Sequence, residues 1–325
     1  MMCKETMKHF FLFFAWIVAC AVCAGCSEGF LDPYSPSEYK VGEYTLSVAK
    51  YADDKAAVVV LTFDDGTYEQ YIHAVPALEE RGLPGTFFIN GTKVLEETRP
   101  SSNAPGQKDL KDMVERGFEV SNHTFHHARL TDISLDSARA EIEMNDSCIE
   151  AWTGVRPVTF AFPYNARNAK LVALAGERRV GVRTYETGFG QTYRTTTYQE
   201  MVDWAKRAVS DHSIAVAMYH GIEYGYDYWN NPDELMRFWD YLAASEDIWV
   251  ATFRDASAYR AERDDVELVA RQEGSQLLIE AKTKLDTRLF NYPLTVLVKS
   301  KDTTMKVKVK PGERVSVNVP ANARD

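Results

Sequence analysis

The chain has almost no cysteine where a fold could use it. Four of its five cysteines (Cys3, Cys20, Cys23 and Cys26) crowd the extreme N-terminus, and Cys148 stands alone in the rest. A single thiol excludes a disulfide framework, and 325 residues can bury a large core without one. Cys148 falls in a predicted helix and reads as a small buried residue rather than a nucleophile. Positive charge is also short: 37 Lys+Arg against 47 Asp+Glu give a formal charge of −10. Such a chain lacks the basic surface that supplies nucleic-acid affinity, so no nucleic-acid partner is expected. With 18 Gly and 12 Pro it is neither collagen-like nor of low complexity. It also lacks the run of roughly 20 apolar residues that crosses a bilayer. What it has, 45% hydrophobic and 26% charged residues, is ordinary for a globular protein.

Residues 10–19 are apolar and follow Lys4 and Lys8, the pattern of a secretory signal too short to be a membrane span. Ala19-Cys20 and Gly25-Cys26 come next, and this stretch resembles the lipobox of bacterial lipoproteins. Residues 1–26 are therefore read as a signal and lipoprotein segment. Either Cys20 or Cys26 is the acylated position. The expectation is an exported protein held at a bacterial membrane, in the periplasm or at the cell surface, through that lipid alone.

Residues 27–54 carry Pro33, Pro36 and several serines and read as a tether with a lead-in strand. Residues 57–63 are an unbroken apolar run of the kind that forms a strand buried on both faces. From there strands and helices alternate: helix near 68–81, strand near 85–89, helix 110–116, strand 118–120, and a long helix from Ser134 to the stop at Gly154. Strands near 158–162, 180–183, 214–219 and 248–252 continue the alternation, with helices between them. That is the texture of a parallel α/β sheet or barrel. The pattern breaks near Ala261. Residues 262–325 hold only strand-like segments separated by turns at Gly274, Lys301-Asp302 and Pro311-Gly312, and read as a small β-sandwich-like domain. The division predicts a barrel over 55–261 that folds independently of the β-domain.

Three clusters stand at predicted strand ends, the edge where parallel α/β folds carry their chemistry. Asp64-Asp65-Gly66 offers adjacent carboxylates. Two acids side by side can divide the work, one on a cation and one as a base, and a cation relieves their repulsion. Without one, the same residues make a strand-ending turn. His123 and His127 are four apart, so a helical turn would present both imidazoles on one face. Three of the chain's seven histidines fall at 123, 126 and 127, which favours a metal site over a polar surface turn. His126 would point elsewhere. His220 follows the apolar run 214–219 and is a candidate general acid. Tyr224, Tyr226, Tyr228 and Trp229 crowd the next segment, as a sugar platform or as simple packing.

Together these clusters resemble the polysaccharide deacetylase family, the NodB-homology group classed as carbohydrate esterase family 4. Residues 62–66 (TFDDG) resemble its first motif and His123-Thr124-x-x-His127 its second. Residues 160–164 (FAFPY) are similar to a variant of the third, and Met218-Tyr219-His220 to the fifth. The resemblance covers about residues 55–260. It implies a distorted (β/α)7-type barrel, NodB-like, with the small all-β region after it. It also implies one divalent metal ion, zinc first, with cobalt, nickel or manganese as alternatives. Asp65, His123 and His127 would hold that ion. Asp64 would be the catalytic base, Tyr164 would offer its backbone N–H to the oxyanion, and His220 would be the acid. The implied partner is an acetylated carbohydrate, deacetylated at nitrogen. An O-acetyl esterase on the same site, or a silent glycan-binding lipoprotein of the same fold, are the rival readings.

The chain also departs from the family pattern. Ala161 stands where the third motif usually has an arginine that orients the base; Arg167 or Arg183 could replace it. Asn165 stands where glycine is common. The fourth motif is not found. Asp203-Trp204 resembles it superficially but falls in a predicted helix and reads as packing, so His220 has no identified partner.

Overall fold

The computed structural model describes residues 32–319. The signal and lipobox cysteines lie outside them. A short hairpin, β1 (Tyr39–Val41) and β2 (Tyr44–Val48), precedes β3 (Ala57–Phe63), whose every residue is buried. The side chains of β3 sort with period two. Ala57, Val59, Leu61 and Phe63 pack with the surrounding helices, against Leu78, Leu110 and Phe238. Val58 and Val60 pack with Phe88, Ala161, Val216 and Phe253. Neither face of β3 meets water, which is why the sequence carries no polar alternation there.

The next strands are β4 (Thr86–Ile89), β5 (Glu119–Asn122), β6 (Thr159–Ala161), β7 (Gly181–Arg183), β8 (Thr187–Gly188), β9 (Ile214–Tyr219) and β10 (Ile248–Ala251). Interleaved with them are α1 (Val75–Glu80), α2 (Gln107–Glu115), α3 (Leu135–Thr153), α4 (Ala169–Ala175), α5 (Tyr198–Asp211), α6 (Pro232–Ala243) and α7 (Phe253–Asp265). Capping sets several helix starts. The Ser134 side chain accepts the Ser137 N–H, Thr197 and Glu200 form a capping box, and Thr252 accepts the Asp255 N–H. Each such cap stabilises its helix by about 1 kcal/mol. All strand pairings from β3 to β10 are parallel, in the order β7-β6-β5-β4-β3-β9-β8, with β10 beside the first half of β3.

This sheet curls. β7 lies four strand positions from β3, about 19 Å in a flat sheet, yet the Arg183 side chain on β7 bonds Thr62 on β3 and Asp64 just beyond it. Only a sheet rolled toward closure brings those groups together. The fold is thus an open (β/α) barrel of seven strands in a continuous path plus β10.

The rest is antiparallel: β11 (Glu267–Glu273), β12 (Gln276–Lys282), β13 (Leu294–Lys299), β14 (Thr304–Val309) and β15 (Arg314–Asn318). One sheet runs β11-β12-β15, the other β1-β2-β13-β14. They close on one apolar core that includes Leu46, Leu277, Ile279, Val296 and Val309. The strand expected to lead into the barrel instead pairs β2 with β13 and completes this second core. Cys148 is half-buried rather than fully enclosed. Among the described residues no helix is long and apolar enough to cross a membrane.

Candidate active site

The carboxyl edge of the barrel gathers all three clusters. β3 delivers Asp64 and Asp65, β5 delivers His123, and β9 delivers His220. They line a cleft of about 510 Å³ with Tyr164, Arg183, Glu186, Arg194 and Tyr226.

The two histidines meet by a different route from the one their spacing suggests. Residues 123–127 form no helical turn; Thr124 and His127 have left-handed backbone, φ 65° and 56°. The loop is pinned from three sides. The Asn122 side chain accepts the Thr124 N–H at 2.8 Å, Thr124 and Phe125 carbonyls accept the Gly91 and Thr92 N–H groups, and the Phe125 N–H bonds Glu141 on α3. A Cβ on Gly91 would lie 2.4 Å from the Phe125 ring and 2.6 Å from Asn145, so the loop can dock there only on glycine. Asp65 and Tyr164 are left-handed too, φ 74° and 57°. Such strain in non-glycine residues concentrates at functional sites.

His127 Nε2 lies 3.0 Å from Asp65 Oδ1, and His123 Nε2 lies 3.8 Å from the same oxygen. That oxygen is buried and has no hydrogen-bond partner. His123 Nδ1 is 2.9 Å from the Ala161 carbonyl. A carbonyl only accepts, so Nδ1 carries the proton and Nε2 turns its lone pair toward Asp65. His127 Nδ1 is 3.2 Å from the Tyr164 hydroxyl. Ligand atoms of Asp65, His123 and His127 all fall within 4.8 Å of one another. An unpartnered buried carboxylate oxygen facing a lone pair suits a divalent cation, which borderline zinc-type N and O ligands would share. The residues present therefore fit one such ion.

Burial works against charge on Asp65, but the His127 ring 3.0 Å away and His123 hold its carboxyl well below the usual carboxylate range. Burial lowers His123, only partly offset by Asp64 and Asp65, and so keeps it neutral. Asp64 is ionised for a different reason. Its burial is outweighed by the Arg183 guanidinium, which donates Nη1 to Oδ1 at 2.7 Å and Nη2 to Oδ2 at 2.5 Å. Arg183 also donates to the Thr62 hydroxyl. Of the two candidates for the missing arginine, Arg167 bonds Asn165 and the Thr184 carbonyl instead. Arg183 stands directly across from Ala161 in the β6–β7 register. The guanidinium has moved one strand along the sheet and kept its aim.

His220 is positioned through its backbone. Gln70 donates its side-chain amide to the His220 carbonyl at 2.9 Å and to the Asp64 carbonyl at 2.7 Å. The buried Glu69 carboxylate accepts the N–H groups of Ile222 at 2.6 Å and Glu223 at 3.0 Å. His220 Nδ1 is buried with no hydrogen-bond partner among the described residues. His126 is turned outward against Glu141. Asp203 and Trp204 lie on α5, with Trp204 donating to the Thr187 hydroxyl in the core. Sequence reasoning passed over Glu186, whose side chain is 7% exposed and lies with its carboxylate 3.8 Å from Arg183 Nε. It also passed over Tyr193 and Arg194. Nothing local marks any of the three.

Comparison with known proteins finds relatives for the barrel. Residues 51–185 match the family model described as polysaccharide deacetylase. The peptidoglycan-N-acetylglucosamine deacetylase PgdA of Listeria monocytogenes is 30% identical over 144 residues, 44% of this chain and 28% of that protein. The peptidoglycan-N-acetylmuramic acid deacetylase PdaC of Bacillus subtilis is 31% identical over 128 residues, 39% of this chain and 26% of that one. The chain thus spans little more than a quarter of either relative. A solved structure of a putative polysaccharide deacetylase from Mycobacterium smegmatis shares the fold at TM-score 0.51 and 15% identity, over 67% of this chain and 94% of that one. Over residues 51–185, which include Asp64, Asp65, His123, His127, Tyr164 and Arg183, the chain matches the polysaccharide deacetylase family.

Proposed function

We propose that the chain is a metal-dependent hydrolase that removes acetyl groups from an N-acetylated glycan. The observation that carries this reading is the pairing of two carboxylates with two environments. Asp64 is held ionised by the forked Arg183 guanidinium, while Asp65 faces the Nε2 atoms of His123 and His127 at 3.8 and 3.0 Å. Adjacent acids so separated can take separate roles.

An acetamide carbonyl is a poor electrophile, water is a poor nucleophile at neutral pH, and an amine leaves only when protonated. A divalent ion, which Asp65, His123 and His127 would hold, would supply Lewis-acid polarisation and make water a better acid. Asp64 takes the proton from the attacking water, and Arg183 keeps that carboxylate ionised and fixed in rotation. The Tyr164 N–H meets the oxyanion as the carbonyl becomes tetrahedral, a contribution of several kcal/mol for such donors. His220 delivers the proton to the departing nitrogen. Acetate and a free amino sugar result.

In this reading residues 55–261 carry the chemistry. Residues 262–325 with the β1–β2 hairpin form a spacing or glycan-contacting module. The protein is exported and tethered through Cys20 or Cys26. The test is acetate release, with and without chelator, from a panel of N-acetylated glycans and O-acetylated xylan. Chelator-sensitive release from the N-acetyl substrates is expected. Release only from the O-acetyl substrate would reassign the leaving group, and no release from any member would reject the activity.

A further inference from the structure

Asp64 and His220 follow adjacent parallel strands, β3 and β9. The Asp64 N–H on the Tyr219 carbonyl, at 2.9 Å, is a final rung between them. Beyond it the two chains enter different loops, and a side chain takes the place of the next rung. The Gln70 amide nitrogen donates one hydrogen to the Asp64 carbonyl at 2.7 Å and the other to the His220 carbonyl at 2.9 Å. Its oxygen accepts the Thr67 N–H at 3.3 Å, which fixes the end of the amide that faces the strands. Gln70 is 1% exposed, so these bonds are made away from water.

The residue before it grips the same loop further along. Glu69, with no exposure, accepts the Ile222 N–H at 2.6 Å on one oxygen and the Glu223 N–H at 3.0 Å on the other. One turn on, His73 Nδ1 lies 3.2 Å from the Glu223 carboxylate. This strap runs into a π-helical turn, Gln70–Ala74, at the start of α1. Such turns are rare and are frequent at functional sites. The strap is moored by Asn103, left-handed at φ 51°, whose carbonyl accepts the Tyr68 N–H and whose side chain accepts the Glu69 N–H at 2.8 Å. The His220 ring, by contrast, has a buried Nδ1 with no hydrogen-bond partner among the described residues and an edge-on contact with Tyr226 at 4.8 Å. Its aim is set through the backbone.

We propose that Gln70 and Glu69 are positioning residues for proton delivery: they hold the His220 backbone against that of Asp64 and so fix the separation of acid and base, in place of a side-chain partner on the imidazole. This rests on the deacetylase reading above. An amine departs only with a proton, whereas nitrophenolate departs from p-nitrophenyl acetate as the anion. A misplaced acid therefore slows amide cleavage and spares the aryl ester.

Acetate release is measured from an N-acetylglucosamine pentamer and from p-nitrophenyl acetate. The proteins are the wild type, Gln70→Met, Glu69→Gln, His220→Asn and the double variant Gln70→Met/His220→Asn, each with its metal content and Tm. The His220 ring resonances are followed by NMR in the wild type and in the Gln70 and Glu69 variants. Gln70→Met keeps the volume and removes both donors. Glu69→Gln keeps the volume and one acceptor, and carries the test if Gln70→Met does not fold.

Gln70→Met is expected to lose about 100-fold on the pentamer, the scale of a misplacement of about 1 Å, and less than about 3-fold on the ester, with metal content unchanged. Glu69→Gln should lose less, with the same split between substrates. Because Gln70 acts through the imidazole, the double variant should fall no further than His220→Asn alone. Equal losses on both substrates, losses that multiply in the double variant, or no loss on the pentamer would overturn the proposal. A wild type that releases no acetate from the pentamer would overturn the deacetylase reading instead. The strap is then judged on the His220 ring: resonances displaced in either variant sustain it, and coincident spectra overturn it.

Discussion

Arg183 and Asp64 form a forked, buried ion pair across the barrel, at 2.7 and 2.5 Å, between strands that are not neighbours in the sheet. Each side chain is about 95% buried. Leaving one member of such a pair alone costs roughly 3–5 kcal/mol, so Arg183→Ala tests folding as much as catalysis. Arg183→Lys keeps the charge and loses the fork. It is expected to lower kcat by about 10- to 100-fold, within the range a positioned base contributes, with metal content unchanged. Because Ala161 faces Arg183 in register, Ala161→Arg combined with Arg183→Ala should recover activity and thermal stability relative to Arg183→Ala alone. No recovery would mean the guanidinium must come from β7.

Asp64→Asn removes the carboxylate proposed as the base and keeps the volume. Acetate release is expected to fall by about 10²- to 10⁴-fold, while metal content measured by elemental analysis stays at the wild-type level. Retained turnover would place the base elsewhere. Lost metal would make Asp64 a ligand, a role its two guanidinium bonds argue against.

His123→Ala is expected to abolish metal binding, since it removes one of the three proposed donors and leaves the buried Asp65 oxygen without the facing imidazole. A ligand bound only by the folded state stabilises it by mass action, about 2.7 kcal/mol at 100 times its dissociation constant. Added zinc should therefore raise the Tm of the wild type and leave that of His123→Ala unmoved. Equal shifts in both would reject this set of donors.

Glu69 should leave a signature in the pH dependence of stability. Burial raises its carboxyl to about 7, against the opposing pull of the Glu223 and Ile222 N–H groups. A raised acid binds its proton in the folded state where the unfolded chain has released it. Its contribution is complete below about pH 4.5 and is lost as pH rises toward 7, on the order of 3 kcal/mol. Glu262, raised to about 7 by burial, has the same sign, and His123, lowered by burial, has the opposite sign below about 6.5. The comparison is thus made at each pH between wild type and Glu69→Gln by calorimetry from pH 4.5 to 8. The variant should lose less stability across that interval. Parallel curves would mean Glu69 is ionised throughout.

The parts of the site that were legible in the sequence are those whose chemistry is local. Asp64-Asp65 ends a buried strand, and His123 and His127 fall in one short segment. Even there the spacing misled about geometry: two left-handed residues, not a helical turn, bring the imidazoles together. The arginine was narrowed to two positions but not to one. Choosing Arg183 requires knowing how far the sheet curls, a property of all its strands at once. Tyr193 and Tyr226 come from segments more than thirty residues apart and meet through Asp227, so neither carries a mark in its own neighbourhood. The pairing of β2 with β13 joins residues about 250 positions apart, Val48 with Val296 for one, and an isolated apolar strand near the N-terminus gives no sign of which sheet it will join.

That pairing bears on truncation. The break in sequence texture suggests that a chain ending at Ala261 would leave a folded barrel, but three contacts oppose it. Helix α7 continues to Asp265, and the Arg263 side chain, fully buried, bonds Asp32 and the Lys50 carbonyl. Tyr259 donates to the Ala49 carbonyl and packs between Trp249 and Tyr292. Removal of β13 would leave β2, with the fully buried Leu46, without its sheet partner. Such an edge, apolar and unpaired, favours aggregation. A chain ending at Ala261 is therefore expected to be insoluble or to melt well below the full-length protein, whereas residues 50–265, which drop the hairpin together with the sandwich, should be the more soluble of the two. Circular dichroism and size-exclusion chromatography of both chains check this. A soluble, cooperatively melting product ending at Ala261 would show that the barrel does not depend on the strands at either end.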